Sequence, residues 1–445
     1  MGDWNTTAGP PPGRRRPRTW SPLREHLRDT FWFAPTVALV LVCVVWAAGS
    51  TADDAILTAL RDSGDEAAVS ALHGIADDAK TVVTTISAAM MTFIGVVFSI
   101  SLVAVQMAAG QLSPRVVSVF VRSRITKATF AVFLATFVLS LLVLTSYDSQ
   151  PDPALVSSTP VVQSVLTLLM VALSVVLFVM YVNAMLRLMR VGHVVDLITA
   201  ESLRVVADLP PAGPAGEATG LGPETARLTH RGAPGVLRDV NIARLVRTAR
   251  RHGIALRLIP GIGDFVVPGT PVFAVHGGVP GRGPAAPYSL VSVSAERTFH
   301  QDLAFGLRQL TDIALRALSS SVNDPTTAVQ AVDRILLFLA TVAPRPLGTA
   351  VHRDRTGTVR LVRPVPDWPR LVDLALAEIR GCATCSPQVT RRLLAGVDDL
   401  LRVVPADRRE PLVRQRALLV RAVERAVPEP ADRAFALQPD RQGIG

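Results

Sequence analysis

The sequence predicts a membrane α-helical protein, with four transmembrane helices followed by an α+β cytoplasmic domain that has a small β-rich module and a helical C-terminal part. Three observations carry this. Four long apolar runs without Asp, Glu, Lys, Arg or His fall at 31–49, 82–108, 128–147 and 161–185. The charges that separate them alternate in sign. After residue 187 no run of that length recurs, and Gly/Pro-rich turns punctuate strand-like and helical periodicities.

A helix needs about 20 apolar residues to cross the hydrocarbon core, and the four runs meet or approach that. Orientation follows from the flanking bases. The tail 1–30 carries six arginines against three acids, a net +3. The segment between the first two runs holds Arg61 and Lys80 against Asp53, Asp54, Asp62, Asp65, Glu66, Asp77 and Asp78. The next loop has Arg115, Arg122, Arg124 and Lys127 and no acid, whereas the loop after the third run has Asp148 and Asp152 and no base. Arg187 and Arg190 follow the fourth run. The sides therefore alternate in, out, in, out, in, which puts both termini in the cytoplasm of a bacterial plasma membrane. Ala47-Ala48-Gly49 resembles a small-residue cleavage site. However, the preceding 30 residues and the 19-residue run are both long for a signal peptide, so the first run reads as a span. The acidic outer segment reads as short amphipathic helices with a solvated carboxylate face.

Span two is the longest and the most polar. It contains Thr84, Thr85, Ser87, Ser99, Ser101 and Gln106, and Gly95 with Ser99 forms a small-xxx-small pair. Two readings are open: packing against another helix through small faces and hydroxyl bonds, or lining of a pore by Thr84, Thr85, Gly95, Ser99 and Gln106. None of the spans carries an ionisable group, which proton- and cation-coupled transporters usually keep at membrane depth.

The net charge of +10 is almost all arginine, since Lys80 and Lys127 are the only lysines. With Ala, Gly and Pro so common, that bias reflects a GC-rich genome more than a function. A basic inner face beside anionic lipid accounts for the charge without nucleic acid. Three cysteines exclude a disulfide framework, and Cys382 and Cys385 lack the further ligands a structural zinc requires. No metal or cofactor is implied.

The inner half divides as follows: 187–230, a helical extension with a Pro/Gly linker at 209–224; 231–295, a β-rich module; 296–428, a helical domain; and 429–445, a disordered tail. In the module, 239–252 reads as a helix, and 255–259, 265–275 and 289–293 as strands. Gly263-Asp264-Phe265-Val266-Val267-Pro268-Gly269-Thr270-Pro271 resembles the turn of small β-barrel and lipoyl-type modules. No lysine follows Lys127, so this is no carrier domain. Helices follow at 299–318, 325–342, 369–381, 387–404 and 410–426, with a strand-like run at 359–362.

The densest polar constellation is Arg297, His300, Asp302, Arg308, Asp312, Arg316, Asn323 and Asp324. Arg308, Asp312 and Arg316 stand four residues apart, so a helix would align them in one Arg–Asp–Arg stripe. Asp324 suits an N-cap and Pro325 the first helical position. The stripe is either a surface ion ladder or one wall of a pocket for an anionic ligand or lipid headgroup.

The stretch from Glu296-Arg297-Thr298-Phe299-His300-Gln301-Asp302 through Asn323-Asp324-Pro325-Thr326-Thr327-Ala328 resembles the signature of the domain of unknown function 2254 family. Gln111-Leu112-Ser113-Pro114-Arg115 and the Gly263–Pro271 segment are similar to its other motifs. The resemblance covers nearly the whole chain. It implies a bacterial membrane protein of this architecture and no particular activity. No P-loop, nucleophile elbow, zincin motif or EF-hand occurs. Two classes of function are left. One is an oligomeric, channel-like or passive conduit with a cytoplasmic regulatory domain. The other is a membrane-anchored sensor or scaffold that binds an anionic ligand or a protein.

Overall fold

The computed structural model describes residues 32–64, 66–111, 124–147, 159–188, 190–209, 221–278 and 290–444. The basic tail, the Gln111–Arg115 motif beyond its first residue, most of the Pro/Gly linker and the loop before residue 290 lie outside them. Four helices are long and apolar enough to cross a membrane: α1 (Phe33–Asp62), α2 (Glu66–Gln111), α3 (Arg124–Thr145) and α4 (Val161–Leu188). The expected short outer helices do not form separately. The acidic segment instead prolongs α1 and α2 as two continuous rods joined at Ser63–Glu66. Its residues are good helix formers, and a running helix satisfies every backbone group in and beyond the bilayer. At 46 residues α2 is about 69 Å long, more than twice the hydrocarbon thickness.

Helix α3 is central and packs against the other three. Apolar association is weak inside lipid, so hydroxyl pairs fasten the bundle. Ser87 of α2 donates to Ser140 of α3 at 2.8 Å, and Thr136 of α3 meets Ser174 of α4 at 3.0 Å. Ser101 of α2 pairs with Tyr181 of α4, and Trp46 Nε1 of α1 donates to Ser146 at 3.1 Å. Asp53 corrects the reading of the acidic segment as wholly solvated, because it is only 3% exposed. Its carboxylate accepts from the Val162 and Gln163 backbone N–H groups at 2.7 and 3.2 Å, capping α4 from α1. A helix start leaves its first N–H groups without intrahelical partners, and such a cap is worth about 0.5–2 kcal/mol. Gly49 lies within α1 at the same interface, where an added Cβ would stand 2.9 Å from Gln163 Cγ.

Beyond α4 the chain continues as α5 (Val191–Ala207), whose apolar face joins the large core of the C-terminal domain. That core is built by α7 (Leu303–Ala317), α8 (Pro325–Val342), α9 (Trp368–Ala383), α10 (Pro387–Val403) and α11 (Arg409–Ala426). A last helix, α12 (Pro430–Ala436), packs on α10, and Arg391 stacks over Phe435 at 4.3 Å. The segment expected to be a disordered tail is therefore ordered against the core.

The smaller core encloses two sheets and α6 (Ile242–Arg251). One sheet runs β1 (Glu224–Thr229), β5 (Pro271–His276), β3 (Ala255–Leu258), β8 (Val359–Pro364), β7 (Thr349–Arg353). The other runs β4 (Phe265–Val266), β2 (Gly235–Val240), β6 (Val291–Ser294). Two boundaries drawn from the sequence shift as a result. Residues 224–229, grouped with the 187–230 extension that follows span four, form an edge strand of the sheet. The β7–β8 hairpin, inside the helical stretch, joins the module through the parallel pairing of β8 with β3, Leu256 opposite Leu361. Five strands share one sheet although two lie about a hundred residues downstream, and local texture does not report such a pairing.

Candidate functional site

Two places gather the residues singled out from the sequence: the outward face of α2, and the joint between the two cores. Helix α2 has two opposed seams. Val83, Ser87, Met90, Val97, Ser101 and Ala104 are buried against α3 and α4, with Ile94 half-buried between them. The opposite seam is Thr81, Thr85, Ala88, Thr92, Gly95, Ser99, Leu102 and Gln106, spaced alternately four and three residues apart and exposed throughout. That is the 3.5-residue period of a helix facing a partner. Thr84 is exposed beside it, and large apolar side chains flank it at Met91, Val96, Phe98 and Val103.

The other exposed membrane faces differ. Helix α1 presents Val37, Val40, Leu41, Val44 and Val45, and α4 presents Val165, Leu168, Leu169, Leu173, Val176 and Val179, as suits hydrocarbon, with Thr36 and Asn183 as exposed polar residues near their ends. On α2 the hydroxyls are satisfied within their own helix: Thr84 donates to Lys80 O at 2.8 Å, Thr85 to Thr81 O at 2.9 Å and Ser99 to Gly95 O at 2.9 Å. The Gln106 amide needs partners beyond its own turn. Around Gly95 an added Cβ would meet nothing within 4 Å. Among the described residues the small-xxx-small pair thus has no packing partner inside one chain. The inward polar contacts of α2 fall to Ser87 and Ser101.

The signature stretch forms the joint. Helix α7 begins at Leu303, four residues later than the periodicity indicated, because Asp302 is its N-cap. The Asp302 carboxylate accepts from the Ala304 and Phe305 N–H groups at 3.2 and 3.1 Å and from Arg297 Nε at 2.8 Å. Burial pushes its carboxyl up, against the opposing pull of Arg297. The Arg297 guanidinium lies 5.4 Å from the Phe305 ring centroid. Gly263, with φ +95°, fits against this pair, and a Cβ there would come 2.6 Å from Asp302 Oδ2. The Gln301 amide clamps the Val240 backbone, accepting from its N–H at 3.2 Å and donating to its C=O at 3.0 Å. On the other side of α7, Gly306 admits Ser202 of α5. The stretch therefore ties the membrane-proximal helix, the β-rich module and the helical core together.

The remaining candidates lie elsewhere. Arg308 is held by Asp312 at 2.7 Å and by Glu378 of α9, in a tie between two helices. Arg316 and His300 are exposed. Asn323 takes a left-handed turn at φ 48°, which asparagine tolerates, and Asp324 caps α8 by accepting from Thr327 N–H at 3.0 Å. Helix α7 is about 22 Å long, so the groups at its two ends do not share a pocket. Among the described residues no group of three or more His, Cys, Asp or Glu is placed to hold a metal, and Cys382 and Cys385 are exposed thiols. Sequence reasoning missed Asp53, Gln301, and the full length of the outer seam. The seam alone had a legible signal, the same 3.5-residue spacing over 25 residues.

The family model described as predicted membrane protein (DUF2254) matches residues 28–399. The chain belongs to that family. Its match takes in all four spans, the joint and most of the helical core. Uncharacterised proteins of Mycobacterium tuberculosis and Mycobacterium bovis are each 28% identical to it over 438 residues, covering 93% of this chain and 80% of theirs. No solved structure matches it.

Proposed function

We propose that this DUF2254 protein is an oligomeric, channel-like conduit of the bacterial plasma membrane, in which the outer seams of α2 from several copies face one another around a shared path. The observation that carries this is the contrast between faces: α1 and α4 offer mainly hydrocarbon side chains to the outside, with single polar ones at Thr36 and Asn183, and α2 offers a line of Thr81, Thr85, Thr92, Ser99 and Gln106. A polar line along a whole span is placed against another helix or against water. A passive path needs no intramembrane carboxylate, and the membrane spans have none. The C-terminal α+β domain, joined to α4 through α5, is the regulatory part. Incorporated into planar lipid bilayers, the purified protein should pass current; a bilayer that holds the protein and stays insulating overturns the conduit.

The charge alternation supports a cytoplasmic C-terminal domain, with anionic headgroups beside the basic inner loops. A reporter active only in the cytoplasm should work when fused after Gly445 and stay silent when inserted between Ser63 and Ala67. The reverse pattern contradicts the orientation.

A further inference from the structure

Arg363 of β8 is 6% exposed, the most buried arginine among the described residues. Its single hydrogen bond there runs from Nε to His352 Nε2 on the neighbouring strand β7, at 3.3 Å. To accept it, His352 must be neutral with its proton on Nδ1. Burial pulls the His352 pKa down to about 4, with Arg363 adding to the effect, so a neutral ring is its ordinary state. The guanidinium therefore has a neutral acceptor on one nitrogen and no carboxylate.

Four other arginines packed within the C-terminal region each have a carboxylate. Arg360 is paired with Asp354 at 2.9 Å, Arg392 with Asp333 at 2.7 Å, Arg416 with Asp398 at 2.6 Å and Arg297 with Asp302. Among the described residues no carboxylate is bonded to Arg363. The elements that pack on β8 are β3, β7 and α6, and none contains Asp or Glu. Helix α6 brings Arg244, Arg247, Arg250 and Arg251. The hairpin turn supplies Asp354, which is already occupied by Arg360 and by the N–H groups of Thr356 and Thr358. A charge taken out of water is stable when paired, and an unpaired one strongly opposes folding. Burial alone lowers the Arg363 pKa only to about 10, so the group stays cationic.

We propose that Arg363, with His352 beside it, forms the floor of an oxyanion site at the edge of the five-stranded sheet, and that the site takes a phosphate group. The planar guanidinium fork matches a phosphate through two parallel hydrogen bonds. Strands β3 and β7 and helix α6 bring no acid, which favours an anion and rejects cations. The phosphate comes either from a free phosphate or phosphate ester, or from a lipid headgroup. The site is separate from the α2 seam and stands whether or not the protein conducts.

The test is thermal unfolding of the full-length protein in detergent, with inorganic phosphate titrated at constant ionic strength and chloride as the control. Wild type should gain about 3 °C or more at saturating phosphate and nothing from chloride. Arg363→Met fills the same space without charge. It should be at least as stable as wild type without phosphate and should lose the response, while Arg316→Ala keeps it. If Arg363→Met does not fold, Arg363→Lys provides the comparison, with a response reduced because a lysine lacks the fork. A parallel series in vesicles with and without phosphatidylglycerol assigns the source: stabilisation by the anionic vesicle alone, lost in the variant, supports a headgroup. Wild type that responds to neither probe, or a response equal in wild type and variant, overturns the site.

Discussion

Gly306→Ala should loosen the joint between the membrane-proximal helix and the C-terminal domain by about 1–3 kcal/mol, the usual cost of forcing extra volume into a packed contact. A Cβ at this position would overlap Ser202 Oγ, stand 2.9 Å from Ser202 Cβ and lie 3.2 Å from the Phe299 ring. The Ser202 hydroxyl has little freedom to move, because it is buried and donates to Ile198 O in its own helix at 2.6 Å. Helix α5 must therefore shift away from α7. Urea or thermal unfolding of the detergent-solubilised protein reads the loss. Ser202→Gly removes both obstructing atoms, so the double variant should recover much of the stability lost in Gly306→Ala. Strictly additive losses would show that the two residues do not meet.

In the proposed assembly, Gly95→Leu should convert the oligomer to monomers. Among the described residues of one chain nothing lies within 4 Å of the position and the site faces outward, so the substitution meets no obstacle there. A leucine in lipid is favourable, and helix propensity improves over glycine by about 0.8 kcal/mol. Any loss of assembly must then come from contacts between copies, where a leucine would hold the backbones of neighbouring α2 helices apart. Native mass spectrometry in detergent separates the cases. An unchanged mass distribution would place Gly95 against lipid and remove α2 from the interface.

What the sequence discloses here depends on how far apart the cooperating residues are. Apolar runs and loop charges are local quantities, and they locate the spans of α1 to α4 before any coordinates. Caps are nearly as local: Asp302 and Asp324 each sit just before the helix they start. Asp53 is also a cap, yet it serves a helix more than a hundred residues away, and its own neighbourhood reads only as acidic surface. The strand β8 was legible as the run at 359–362, but its pairing is hidden in the same way, because its partner β3 lies across two intervening helices of the chain. The constellation from Arg297 to Asp324 was legible as a dense polar motif. Of its residues only Arg297 and Asp302 take part in the joint, with Gln301 and Gly306 beside them, and periodicity carries no information on which side of a helix meets which domain. Arg363 gave no signal in a chain so rich in arginine; only its burial and the absence of a bonded carboxylate among the described residues set it apart.

In the proposed conduit the outer seam of α2 lines a watery path between copies. Thiols react as thiolates and so require water, which makes a cysteine on the seam a direct probe. In protein with Cys43, Cys382 and Cys385 replaced by serine, Ser99→Cys should conduct in planar bilayers. A charged, water-soluble thiol reagent should then block the current, while Leu169→Cys, on the exposed apolar face of α4, should be unaffected. Ser99→Cys protein whose current ignores the reagent, or that reacts no faster than Leu169→Cys, would contradict the account.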